Sequence, residues 1–148
     1  MRIALAADHA GFELKDELMA WLREAGHELT DLGTNGPDSV DYPQFGAKLA
    51  AEVASGRAER GIAVCGSGIG ISIAVNREPK CRCARVDDPL SAKLAREHND
   101  ANVLALGARL IGHDMARACV TAFLGGDFAG GRHQRRVDQL SQLLQDSD

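Results

Sequence analysis

The sequence predicts an α/β fold built on a parallel sheet of five strands. Three observations predict it: short apolar runs bounded by turn formers, longer stretches of helical period between them, and the alternation of the two along the chain, the signature of a βαβ series. At 148 residues, with 45% hydrophobic and 26% charged residues, the chain is sized for one globular domain with its own core.

The first strand is expected over residues 2–7, an apolar run too short for a signal peptide or a membrane span. A helix follows with Leu14, Leu18, Trp21, Leu22 and Ala25 on one face, and Gly26 stands where it should stop. The second strand is expected over 27–31, before the turn-dense loop Gly33-Thr34-Asn35-Gly36-Pro37-Asp38. Phe45, Leu49 and Val53 mark the next helix, and strands are expected over 61–64, 82–86 and 102–106. Met115, Cys119 and Phe123 form a further helical stripe. After the glycine-rich break at 125–131, a polar helix over about 133–146 carries Val137, Leu140 and Leu144 on one side, a face suited to a partner subunit.

A net charge of −4 with dispersed basic residues leaves no footprint for nucleic acid, so an anionic small molecule would need a local cluster. Four cysteines, at 65, 81, 83 and 119, without a secretory signal suggest reduced thiols in a cytoplasmic protein rather than a disulfide framework. Cys81 and Cys83 share a strand face, but no His or Cys group accompanies them, so they read as structural and no metal site is expected.

Cys65-Gly66-Ser67-Gly68-Ile69-Gly70 lies where the third strand hands over to a helix, the place where open α/β sheets bind ligands. Its glycines allow close backbone approach, and amides at the helix start form an anion cradle. The spacing Gly-x-Gly-x-Gly is not the dinucleotide fingerprint. Ile71 and Ser72 stand where a nucleotide-triphosphate loop needs Lys and then Ser or Thr, and Ile71 also occupies the place of the Arg that a thiol phosphatase requires. A thiol, a hydroxyl and a set of backbone donors remain, a kit for abstracting a proton beside a carbonyl: a helix N-terminus favours the thiolate, and amides stabilise an enediolate. The other reading of the loop makes Cys65 a small buried residue and the glycines packing devices. The loop by itself leaves both open.

Other polar clusters flank it. Asp8 and His9 follow the first strand, Asp8 reading either as the cap of a helix near Phe12 or as a member of the crevice. His98 and Asn99 close the fourth helix, where a His is also suited to the helix dipole. Arg132, His133 and Arg136 form a basic cluster that reads as a solvated face or as a phosphate clamp, to which Arg109 could contribute. Tyr42 stands at a loop-to-helix junction, as a pocket wall or a packing residue.

These clusters, together with Asp41-Tyr42-Pro43, Ala74, Asn76 and the runs 96–103 and 131–137, closely resemble the type B ribose-5-phosphate isomerase family, whose relatives act on allose 6-phosphate and galactose 6-phosphate. The resemblance covers essentially the whole chain. It implies a Rossmann-like three-layer αβα domain, a homodimer or dimer of dimers with active sites at the interface, and no metal or organic cofactor. It implies interconversion of ribose 5-phosphate and ribulose 5-phosphate through a cis-enediolate, a pentose phosphate pathway step. A six-carbon sugar phosphate is the alternative substrate, and a non-catalytic sugar-phosphate-binding subunit the alternative role.

Position by position, the resemblance makes Cys65 the base, assisted by Ser67, and His98 the group that opens the sugar ring, with Asp8 nearby. Asn99 and the amides of Gly66, Gly68, Ile69 and Gly70 would hold the enediolate oxygens. His9, Arg109, Arg132, His133 and Arg136 would bind phosphate, some of them from the other subunit. A branch of the family carries a Glu in place of Ile71 and lacks the cysteine, so this chain sorts with the cysteine users. Ser67 in place of a frequent Thr keeps the hydroxyl, while Leu90 and the run 77–80 depart from the usual pattern and bear on local shape.

Overall fold

A computed structural model describes the backbone of residues 1–145 and the side chains of 1–143, so the side chain of Leu144 in the expected stripe and position 146 of the expected last helix lie outside what is described. The order is β1 (Arg2–Ala7), α1 (Phe12–Glu24), β2 (Glu28–Asp31), α2 (Tyr42–Ala54), β3 (Arg60–Cys65), α3 (Ile69–Val75), β4 (Cys83–Arg85), α4 (Pro89–Asn99), β5 (Val103–Gly107), α5 (His113–Gly125) and α6 (Arg132–Gln145). The five strands are all parallel, in the order β2-β1-β3-β5-β4.

The central strands read as continuous apolar runs because both their faces are covered. Ile3, Leu5, Ile62, Val64, Leu104 and Leu106 pack under α1, α4 and α5. The intervening Ala4, Ala6, Ala63, Cys65, Val103 and Ala105 pack under α2 and α3. This period of two places Cys65 on the α2–α3 side at the very end of β3.

Expected strand positions hold within a residue or two, with β4 contracted to an edge strand of three residues. The Asn76 side chain clips that edge, donating to the Cys83 carbonyl (3.0 Å) and accepting from the Cys83 amide (2.8 Å). Two helical stripes need correction. In α5 the expected Cys119 and Phe123 are buried, joined by Ala116 and Val120, while Met115 is 42% exposed because it lies just outside the inward face. Ala25 lies beyond the last turn of α1 as its C-cap, and Gly26 follows at φ +92°.

Lys15 is fully buried inside α1, where periodicity calls for an apolar residue. Its ammonium donates to Asp16 (2.8 Å), Asp31 (2.8 Å) and Asn35 (3.0 Å), joining α1 to the end of β2 and to the loop beyond it. Among the described residues no helix is long and apolar enough to cross a membrane.

Candidate active site

Cys65 ends β3, and the chain turns sharply behind it. Gly68 caps α3 at φ +76°, and a Cβ there would lie 2.9 Å from the Leu106 carbonyl carbon, so conformation and space both require glycine. The turn aims the Gly68 amide at the Cys65 sulfur, 3.1 Å away. The Ile69 amide donates to Ser67 Oγ (3.2 Å). Two amides of the expected anion cradle are therefore engaged within the loop itself.

A cavity of about 280 Å³ opens over this turn, lined by Asp8, Tyr42, Cys65, Gly66, Ser67, Gly70, Arg109 and Leu110. Each is delivered by a strand end or a helix start. Asp8 follows β1, is 7% exposed, and accepts the amides of Ala10 (2.9 Å) and Gly11 (3.1 Å). Gly11 is the N-cap of α1, so Asp8 does not cap the helix; it holds the turn before it. Tyr42 opens α2 and lays its ring on Gly70, where a Cβ would meet its Cζ at 2.6 Å. Arg109 follows β5; its amide donates to the Gly66 carbonyl (3.0 Å), and its Nη1 would lie 3.2 Å from a Cβ on Gly66. His9 stands beside Asp8 and accepts the Val40 amide on Nδ1 (3.1 Å).

The remaining expected residues lie elsewhere. Helix α4 starts beyond the C-terminal end of β4 and runs back, so His98 and Asn99 reach the end of the sheet where β5 begins. Cys65 is at the other end of strands that span on the order of 20 Å. At the far end His98 stacks on His133, with Arg132 and Arg136 on the first turns of α6. Loss of water around the His133 ring, and then the neighbouring His98, Arg132 and Arg136, hold its pKa below the ordinary imidazole value. Asn99 lines a second cavity of about 370 Å³, shared with Cys83 and Leu140 at the β4 edge. Within one chain, then, Asp8, Tyr42, Cys65, Ser67 and Arg109 are brought together, and His98, Asn99, Arg132, His133 and Arg136 are not brought to them. Ile69 is 51% exposed and is not among the residues that line the cavity.

Sequence reasoning missed Leu110 as a lining residue and Arg85 beneath the turn. Arg85 ends β4, and its Nε donates to the Ser67 carbonyl (3.0 Å). A lone arginine in a strand was the available signal. Burial pushes the Cys81 and Cys119 thiols up to about 11 and raises that of Cys83 as well, which leaves all three protonated at neutral pH. Among the described residues no three His, Cys, Asp or Glu converge as metal ligands would.

Known proteins share the sequence and the fold of this chain. A family model described as Ribose/Galactose Isomerase covers residues 3–140. Ribose-5-phosphate isomerase B of Escherichia coli (strain K12) is 44% identical over 144 residues, 97% of each chain. Ribose-5-P isomerase B of Listeria innocua is 39% identical over 145 residues, 98% of each chain. The structure of Clostridium thermocellum ribose-5-phosphate isomerase B superposes with a TM-score of 0.99 at 45% identity, covering 100% of both chains. That of Mycoplasma genitalium ribose-5-phosphate isomerase B with bound ribulose-5-phosphate gives 0.95 at 35% identity, covering 99% of this chain and 97% of the other. With the family model spanning residues 3–140 and both sequence and fold similar over nearly the full length, the chain belongs to the ribose/galactose isomerase family.

Proposed function

We propose that the chain interconverts ribose 5-phosphate and ribulose 5-phosphate as a cofactor-independent, cytoplasmic aldose-ketose isomerase. The observation that carries the mechanism is the Cys65 sulfur, held by the Gly68 amide in a cavity shared with Ser67 and Asp8. In the open-chain aldose, the Cys65 thiolate takes the proton from C2, the electron pair forms the cis-enediolate, and the thiol returns the proton to C1. Ser67 assists transfer between the two oxygens. Arg109 and His9 hold phosphate at the rim.

Ring opening falls to His98, and further phosphate contacts to Arg132, His133 and Arg136, all supplied by a second copy of the chain in a homodimer. Asn99, also from the second copy, holds an enediolate oxygen. Two observations support this: the split of the residues between opposite ends of the sheet, and exposed apolar pairs at helical spacing around the β4 edge. The pairs are Ile69 and Ile73 on α3, Leu90 and Leu94 on α4, and Leu140 and Leu143 on α6. On this reading the chain is one domain whose last helix packs on its partner.

The deciding experiment measures turnover of ribose 5-phosphate by the purified protein and by Cys65→Ala. A loss of about 10²–10⁴-fold is expected, because a methyl group cannot accept a proton. Near-normal turnover in the variant would remove Cys65 from the mechanism. Parallel kcat/KM values for allose 6-phosphate and galactose 6-phosphate test the five-carbon preference; a higher value for either reassigns the substrate.

A further inference from the structure

The Ser67 carbonyl and the Gly68 amide are the two ends of one planar, conjugated peptide unit. At its oxygen, the Arg85 Nε–H donates across 3.0 Å; at its nitrogen, the Gly68 N–H donates to Cys65 Sγ across 3.1 Å. The unit has little room to tilt, since a Cβ on Gly107 would lie 2.7 Å from the Ser67 carbonyl atoms. The guanidinium is itself aimed: its Nη1 donates to Asp87 at 2.5 Å, and the Arg85 side chain is 25% exposed.

We propose that Arg85 is a positioning residue for Cys65, acting through the Ser67–Gly68 peptide. This deepens the isomerase reading and rests on it for its catalytic meaning. A cationic donor on a carbonyl makes a stronger hydrogen bond than a neutral one, draws electron density toward the oxygen, and so strengthens the N–H at the other end as a donor. The trans peptide puts guanidinium and sulfur on opposite sides, so the arginine favours the thiolate without entering the cavity or touching substrate. Its geometry also fixes the amide's direction, which fixes the sulfur. The other charged or titratable groups facing the sulfur are Asp8 after β1, Tyr42 at the start of α2, and Arg109 after β5, with Asp87 behind Arg85. None of the first three touches the Ser67 peptide oxygen, so Arg85 is the charged side chain that bonds it.

The test reads the sulfur directly. Alkylation of Cys65 by iodoacetamide is followed against pH, with the modified peptide resolved by mass spectrometry from those of Cys81, Cys83 and Cys119. In Arg85→Met the pH of half-maximal rate should rise by roughly 0.5–1 unit, and the acid limb of kcat/KM should move with it while KM stays within about twofold. Arg85→Lys, which keeps a cationic donor, should restore most of the shift. The shift should persist in Arg85→Met combined with Asp87→Asn, where no uncompensated carboxylate is left. An unshifted Arg85→Met, or a shift that disappears in the double variant, overturns the relay. Should Arg85→Met not fold, Arg85→Gln carries the same test, a neutral donor giving a smaller rise and no rise overturning it. Alkylation needs no turnover, so failure of the isomerase reading leaves this result standing, and failure of the relay leaves the Cys65→Ala result standing.

Discussion

The imidazoles of His98 and His133 stack with their centroids 4.4 Å apart and their planes inclined by 13°, joining the last turn of α4 to the first turn of α6. Two rings so placed cannot both carry a proton without repulsion, and the arginines beside them add to it. The pair also fixes where α6 departs from the body of the chain.

The first prediction concerns protonation. His133 should titrate below the ordinary imidazole value when followed by its ring proton resonances, and His98→Ala should move it upward, since His98 is the second cause after lost hydration. The sign for stability follows. The folded pKa is depressed, so the unfolded chain binds more protons between the two values. Stability is complete above the unfolded value of about 6.5 and falls as pH drops through the folded one. His133→Asn should therefore lose less stability on acidification than the unaltered protein, as read by urea midpoints.

The second tests the shared site. Cys65→Ala and His98→Ala should each be inactive alone, but after mixing, unfolding and refolding they should recover about a quarter of full activity, the yield of two-fold heterodimers with one intact site. No recovery would place both residues in one chain's site.

The third tests the face around β4. Leu94→Glu places a charge on α4, where Leu90 is 63% and Leu94 37% exposed, and should convert a dimer to a monomer by light scattering while leaving the circular dichroism intact. Unchanged mass would move the interface elsewhere.

The fourth concerns the buried ammonium. Lys15→Ala leaves Asp31 and Asn35 without their shared donor and should cost about 2–4 kcal/mol in urea unfolding. Loss of activity should follow loss of fold, with KM unchanged at low temperature.

The fifth separates two glycines. Gly68→Ala forces a side chain into φ +76° and against Leu106, costing about 1–2 kcal/mol from the left-handed backbone before the clash is counted, and it should cut turnover by disturbing the amide on Cys65. Gly112→Ala, with open space at its Cβ, should leave turnover unchanged.

Much of this architecture was legible in the order of residues. Strand β1 and the turn at Cys65 could be read because a strand covered on both faces is apolar throughout, and a tight strand-to-helix turn demands glycine at particular offsets. Lys15 was not legible, since a buried ammonium is satisfied only by oxygens from other elements, here Asp31 and Asn35. Met115 misled because it lies at the margin of the face that Cys119 and Phe123 mark, where packing rather than period decides whether a side chain is buried.

Fold class, the thiol on its glycine-rich turn and the polar clusters could be read from the chain, because periodicity and turn chemistry are local properties. Which clusters meet depends on packing between elements. The direction of α4 carries His98 to the end of the sheet opposite Cys65, and the β4 edge brings Arg85 under the Ser67 peptide. Both depend on how elements distant in sequence pack together, and no spacing along the chain encodes that.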